Sequence, residues 1–215
     1  DSHPDWPRQA RMLRNAEALL QKRPESDDLF VLDWFGRYSP VSTTGKVRLA
    51  EAQMRNGLLD KGYELLREAW IEGNFARPDE RTLLRRHRQL LTRDDHAERL
   101  DRLLWDRRRG DARRLLPRVS KDLQTLGLAR IGLIESAGNV DTLIANVPET
   151  LRSNPGLAFE RTRWRRTKGF DERAREILLE PRLHENRADK WWRERRIQVR
   201  NALYDGELTD AYVVA

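Results

Sequence analysis

The sequence predicts an all-α protein, an α-solenoid built from degenerate tetratricopeptide-like helical hairpins, and three observations lead there. Apolar residues recur at helical spacing in nearly every segment, no stretch sustains strand alternation, and one turn phrase returns at four places. A chain of short helices is either a bundle or a solenoid, and internal similarity favours the second. The expected organisation is a single superhelical domain over 1–215, with a first hairpin region and loop in 1–45 and further hairpins in 46–215.

Taken in order, the apolar stripes are Leu13, Ala16 and Leu20; Val47, Ala50 and Met54; Leu66, Ala69 and Trp70; Ala97, Leu100 and Leu104; Leu126, Ala129 and Leu133; and Ala188, Trp192 and Val199. Between them stand breakers: Gly36 with Ser39-Pro40, Asn56-Gly57, Glu72-Gly73-Asn74, Pro117, Gly138-Asn139, Pro148, Asn154-Pro155-Gly156, Lys168-Gly169, Pro181 and Asp205-Gly206. Segments of this length between such residues predict around ten to twelve short helices.

The recurring phrase is a glycine, then a small residue, then an aliphatic pair. Asn56-Gly57 leads into Gly62 to Leu66, Arg109-Gly110 into Ala112 to Leu116, Lys168-Gly169 into Ala174 to Leu178, and Asp205-Gly206 into Ala211 to Val214. Each glycine supplies the left-handed residue that ends one helix, and each small residue lets the next helix approach closely. The four turns lie 53, 59 and 37 residues apart, so the repeats are degenerate.

Composition narrows the function. Only 38% of the 215 residues are hydrophobic, below the usual ~45–50%, which disfavours a thick multilayer core. There is no cysteine, excluding a disulfide scaffold, a thiolate nucleophile and a Cys-ligated zinc. No apolar run approaches the roughly 18 residues that a membrane helix needs, and Asp1 to Pro7 lack the order of a secretory signal. The net charge of +7 comes from 42 basic and 35 acidic residues, and 36 of the 42 are Arg. The densest groups are Arg85 to Arg88, Arg107 to Arg109 with Arg113-Arg114, Arg161 to Arg166 and Arg193 to Arg196. With acids interspersed throughout, they are read as solvated helix faces paired at i,i+4, in preference to a nucleic-acid groove.

Chemistry-bearing motifs are sparse. The four histidines, His3, His87, His96 and His184, are never at i,i+4 from one another, so no metal site is expected and each is read as a surface or capping residue. Nucleophile-elbow, Walker and dinucleotide-binding patterns do not occur. Catalytic, cofactor-binding and metal residues are therefore all expected to be none. Trp34, Trp70, Trp105, Trp164, Trp191 and Trp192 fall in helical segments and are read as core. In the Trp191-Trp192 pair, side chains about 100° apart on a helix leave one ring to line an exposed surface.

Several phrases together resemble the superhelical U-domain of soluble murein lytic transglycosylases, especially of the alphaproteobacterial type. They are His3-Pro4-Asp5-Trp6-Pro7; Val31 to Phe35 with Pro40-Val41 and Gly45 to Ala50; His96 to Trp105 with Ala112 to Pro117; Gly156 to Arg166; and Trp191 to Arg196. The resemblance runs over nearly the whole chain. It implies a periplasmic parent protein that cleaves peptidoglycan glycan strands to 1,6-anhydro products. In that family a separate lysozyme-like domain carries the catalytic Glu, so the linker and catalytic domains would be partners of this segment. Ile134-Glu135-Ser136 contains the Glu-Ser pair that marks that acid, but the family's downstream Gly-Leu-Met-Gln is missing and Glu135 is read as the end of a helix.

Two functions of different class follow. One is a noncatalytic scaffold segment of a lytic transglycosylase whose Arg-rich faces guide anionic, peptide-bearing glycan. The other is a stand-alone helical-repeat adaptor that binds a protein, or less readily nucleic acid, on an Arg/Trp-lined surface. The apolar end Tyr212-Val213-Val214-Ala215 leaves no polar cap and favours the first.

Overall fold

The computed structural model describes residues 8–180 and 187–215. The opening phrase His3 to Pro7, the breaker Pro181 and His184 lie outside the described residues. Within them the fold is all-α, with thirteen α-helices, three single 3-10 turns and no strand. The excess over ten to twelve comes from short segments such as Val140–Ala145, a helix of six residues squeezed between Asn139 and Pro148. Contacts gather into two units, Asp1–Arg99 and Leu100–Ala215.

The first unit holds α1 (Gln9–Leu20), α2 (Asp28–Arg37), α3 (Thr43–Arg55), α4 (Leu59–Glu72), α5 (Arg77–His87) and the start of α6 (Arg93–Trp105). Local chemistry starts these helices. Ser42 Oγ accepts the Gly45 N–H at 2.9 Å ahead of α3. Ahead of α6, Thr92 and Asp95 form a reciprocal box in which the Asp95 carboxylate accepts the Thr92 N–H at 2.8 Å and Thr92 Oγ1 accepts the Asp95 N–H at 3.1 Å. The apolar core gathers Leu20, Val31, Phe35, Leu49 and Ala52 from α1, α2 and α3.

In the second unit, α7 (Arg109–Leu115), α8 (Lys121–Glu135), α9 (Val140–Ala145), α10 (Pro155–Thr167), α11 (Asp171–Leu178), α12 (Ala188–Tyr204) and α13 (Leu208–Val214) follow. Ser120 and Asn154 cap α8 and α10, accepting the N–H groups of Leu123 at 3.3 Å and Leu157 at 3.0 Å. Pro155 opens α10, where its missing N–H costs nothing. Two core clusters stand out among the described residues of this unit. Leu126, Ala129, Leu133, Val140, Val147 and Leu157 form one cluster, and Trp105, Phe159, Leu178, Trp191 and Val214 anchor the other.

One backbone device closes four hairpins. Gly57, Arg107, Gly169 and Gly206 all have positive φ, at 85°, 57°, 78° and 79°. In each case the N–H of the following residue reaches back to a carbonyl of the finished helix, as in Leu58 to Gln53 at 2.9 Å and Glu207 to Ala202 at 2.8 Å, the Schellman pattern. That following residue then opens the next helix with nearly constant dihedrals: Leu58 −89°/59°, Arg108 −81°/59°, Phe170 −93°/58° and Glu207 −84°/68°. Five residues beyond each positive-φ position stands a buried small residue: Gly62, Ala112, Ala174 and Ala211. A Cβ on Gly62 would meet the Ala50 carbonyl oxygen at 2.7 Å, so the two backbones of the α3/α4 hairpin touch there.

This corrects the reading of the second phrase. Gly110 lies inside the first turn of α7, and the left-handed residue is Arg107. A non-glycine in that conformation costs about 1 kcal/mol. Arg107 offsets it by tying its guanidinium to Glu160 at 3.0 Å and to the Ile134 carbonyl at 3.3 Å. With Arg107 in place of Gly110, the distance from turn to small residue becomes uniform.

Candidate functional site

Arginine governs the polar architecture, on exposed helix faces and also between helices. Pairs at i,i+4 do occur, as in Arg23–Asp27 and Arg37–Asp33. More often a guanidinium crosses to another helix. Asp28 accepts Arg48 at 2.6 Å and both Nε and Nη2 of Arg55 at 2.6 and 2.9 Å. Arg166 holds the buried Glu194 with two contacts, at 2.8 and 3.2 Å. Arg99, almost fully buried, stacks 4.2 Å from the Trp70 ring and donates to the carbonyls of Trp70 and Gly73 that end α4. Long arginine stems run between the short helices to make these bonds, while others, such as Arg81, Arg85, Arg193 and Arg196, stay exposed.

Electrostatics follow the geometry. The bond from Arg55, with further help from Arg48, holds the Asp28 carboxyl below its ordinary range against the opposing effect of burial. Burial is the largest influence on Glu51 and pushes it up, but His87 at 2.8 Å and Arg86 at 3.4 Å bring it below the usual value. Glu160 goes the other way. Its burial outweighs Arg107, Arg130 and Arg163, and the carboxyl is raised, with Oε1 lacking a partner.

Residues singled out from the sequence land as follows. Glu135 is the last residue of α8 and its carboxylate is held by Arg113 at 2.5 Å and Arg109 at 3.5 Å. His96 is buried, not a surface residue: the Trp70 indole N–H donates to its Nδ1 at 3.1 Å. His87 is half-buried against Glu51. Trp70, Trp105 and Trp191 are core, whereas Trp192 is 60% exposed, so the adjacent pair does split between core and surface. Among the described residues no group of His, Asp or Glu is arranged to hold a metal ion, and no helix is long and apolar enough to cross a membrane.

One concavity combines room with an uncompensated charge. An open groove of about 650 Å³ runs between α10 and α11. Its cationic side carries Arg152, Arg161 and Arg165, its other side Glu176 and Glu180, with Ala158 and Ile177 as an apolar floor. Arg165 is engaged, donating to the Arg173 carbonyl and lying 3.8 Å from Glu176. Arg152 donates its Nε to the Val147 carbonyl at 3.3 Å. Arg161 is half-buried and has neither a hydrogen-bond nor an ion-pair partner among the described residues; only burial and the repulsion of Arg165 act on it, and both lower its pKa. The arrangement can receive an oxyanion. By contrast, the smaller cleft of about 160 Å³ near Gln21, Thr44 and Asp79 has Arg48 and Glu51 on its wall already satisfied by Asp28 and by His87.

Sequence reasoning marked the Arg161 to Arg166 run but did not single out Arg161. The available signal was that its i±3 and i±4 neighbours, Leu157, Ala158, Trp164 and Arg165, include no acid. Comparison with known proteins returns nothing: no family model, no curated protein and no solved structure matches this chain.

Proposed function

We propose that the chain is a noncatalytic scaffold segment of a soluble peptidoglycan lytic transglycosylase, working in the bacterial periplasm beside linker and catalytic domains of the same protein. The observation that carries this reading is the repeated hairpin: of the five helix ends closed by this back-bonded left-handed turn, four are followed five residues later by a small buried residue. A chain organised this way presents surface along its length and has no need of a central chemical site. Four of the phrases that resemble the U-domain, Gly45 to Ala50, His96 to Trp105, Gly156 to Arg166 and Trp191 to Arg196, lie in the helix that precedes one of the four turns. In this reading the solenoid arrangement extends from hairpin to hairpin, and glycan strands with their acidic peptides are guided along Arg-bearing faces. Glu135 has no catalytic part in it: it ends a helix, exposed, with its carboxylate paired to Arg113 and Arg109.

A second reading, an adaptor for a protein partner, draws on the exposed aromatics of the second unit, Phe170, Trp192, Tyr204 and Tyr212. A digest of purified sacculi separates the two. The scaffold reading expects the chain to release no 1,6-anhydromuropeptides, and release of such products would overturn its noncatalytic character. Tight, salt-sensitive retention of DNA without any affinity for sacculi would overturn it as well.

A further inference from the structure

We propose that the groove between α10 and α11 is a binding site for the free C-terminal carboxylate of a short peptide ending in a small aliphatic residue, with Arg161 as the principal anchor. An arginine half-buried without a carboxylate partner among the described residues is an unusual arrangement, because a partly desolvated charge is costly unless it is compensated. Arg161 lies one helical turn before Arg165 and one after Ala158, so all three share one face of α10 and look onto the same space. Its planar fork suits a carboxylate presented edge-on. The lowered pKa of Arg161 fits a site in which the compensating negative charge comes from outside.

The rest of the lining decides which anion. Glu176 and Glu180 face the same groove, so three cations stand against two acids and the excess is a single charge. A dianionic phosphate or a run of nucleic-acid phosphates would meet that acidic wall, whereas one carboxylate on an otherwise neutral chain avoids it. The floor of Ala158 and Ile177 offers apolar contact for one or two methyl groups beside the carboxylate. The groove's volume of about 650 Å³ suits a dipeptide or tripeptide.

The site rests on the geometry of the second unit alone. Its failure would leave the scaffold reading in place, and absence of sacculus binding would leave the site in place. The test is calorimetric or NMR titration of the full chain with N-acetyl-alanyl-alanine, its C-terminal amide and inorganic phosphate. The peptide acid is expected to bind, the amide not to, and phosphate to compete only weakly. Arg161→Gln, which breaks no side-chain hydrogen bond or ion pair among the described residues, should weaken the acid by about tenfold or more, the scale of a charge-assisted hydrogen bond. Glu176→Gln, which removes one repelling carboxylate, should tighten it a few-fold. Equal binding of acid and amide, unchanged affinity in Arg161→Gln, or phosphate binding more tightly than the peptide would each overturn the proposal.

Discussion

Asp28 is the residue on which the first unit's polar interior turns. Three guanidinium hydrogen bonds converge on it, two from Arg55 and one from Arg48, and Arg48 is almost wholly buried. Removing the carboxylate charge strands a desolvated cation, which in comparable buried pairs costs about 3–5 kcal/mol. Asp28→Asn should therefore destabilise the chain by roughly 3 kcal/mol at pH 7 in urea unfolding. The effect has a definite pH signature. Asp28 titrates lower in the folded chain than unfolded, so its contribution is fully present above the unfolded value, about pH 4, and disappears as pH falls through the folded one. The gap between the variant and the parent should narrow below pH 4, and a constant gap would remove Asp28 from this role.

At the scale of the element, the shared turn makes a paired prediction. Gly169 and Ser136 both hold a left-handed conformation after a helix, at φ 78° and 53°, and Ser136 closes α8 by the same back-bonding, with the Ala137 N–H on the Gly132 carbonyl at 2.9 Å. Nothing lies within 4 Å of a Cβ placed on Gly169, so the penalty there is purely one of backbone. Gly169→Ala should cost about 1 kcal/mol, and Ser136→Gly should stabilise by about 0.5–1 kcal/mol. Gly62 differs because its lack of a side chain is needed for contact: Gly62→Val should cost at least about 1–3 kcal/mol by forcing α3 and α4 apart. Thermal melts of the three variants check the order.

The same elements show what was legible in the sequence. Helical class, most breakers and the glycine turns at 57, 169 and 206 could be read directly, because they depend on residues a few positions apart. The fourth turn could not. Gly110 carried the expected residue type, and the actual left-handed position is an arginine whose compensation, Glu160, lies 53 residues away. For the same reason the interhelical ion pairs and the buried His96 were invisible: they depend on which helix packs on which, and periodicity does not specify that. The cation cluster around the groove was visible as composition, while the unpartnered state of Arg161 required α11 beside it.

For the molecule as a whole, the dense charge is an internal adhesive as well as a solubilising coat. Among the described residues Asp28, Glu51, Asp95 and Asp111 titrate below their ordinary values in the folded chain, and Glu160 alone of the clearly shifted carboxyls titrates above. The four contribute stability that is complete above their unfolded values of about 4 and is lost as pH falls through the folded ones; Glu160 opposes them, its contribution being greatest in acid and lost as pH rises. With four acting against one, stability to urea should fall from pH 7 to pH 3. A flat or rising profile would mean that the ion pairs are not what holds the helices together.

The reading of the molecule as a peptidoglycan scaffold is tested most directly by co-sedimentation of the purified chain with purified sacculi, quantified in pellet and supernatant across a salt series. Retention in the pellet, weakening as salt screens the arginine contacts, is the predicted result. A chain that stays in the supernatant at every ionic strength would contradict it.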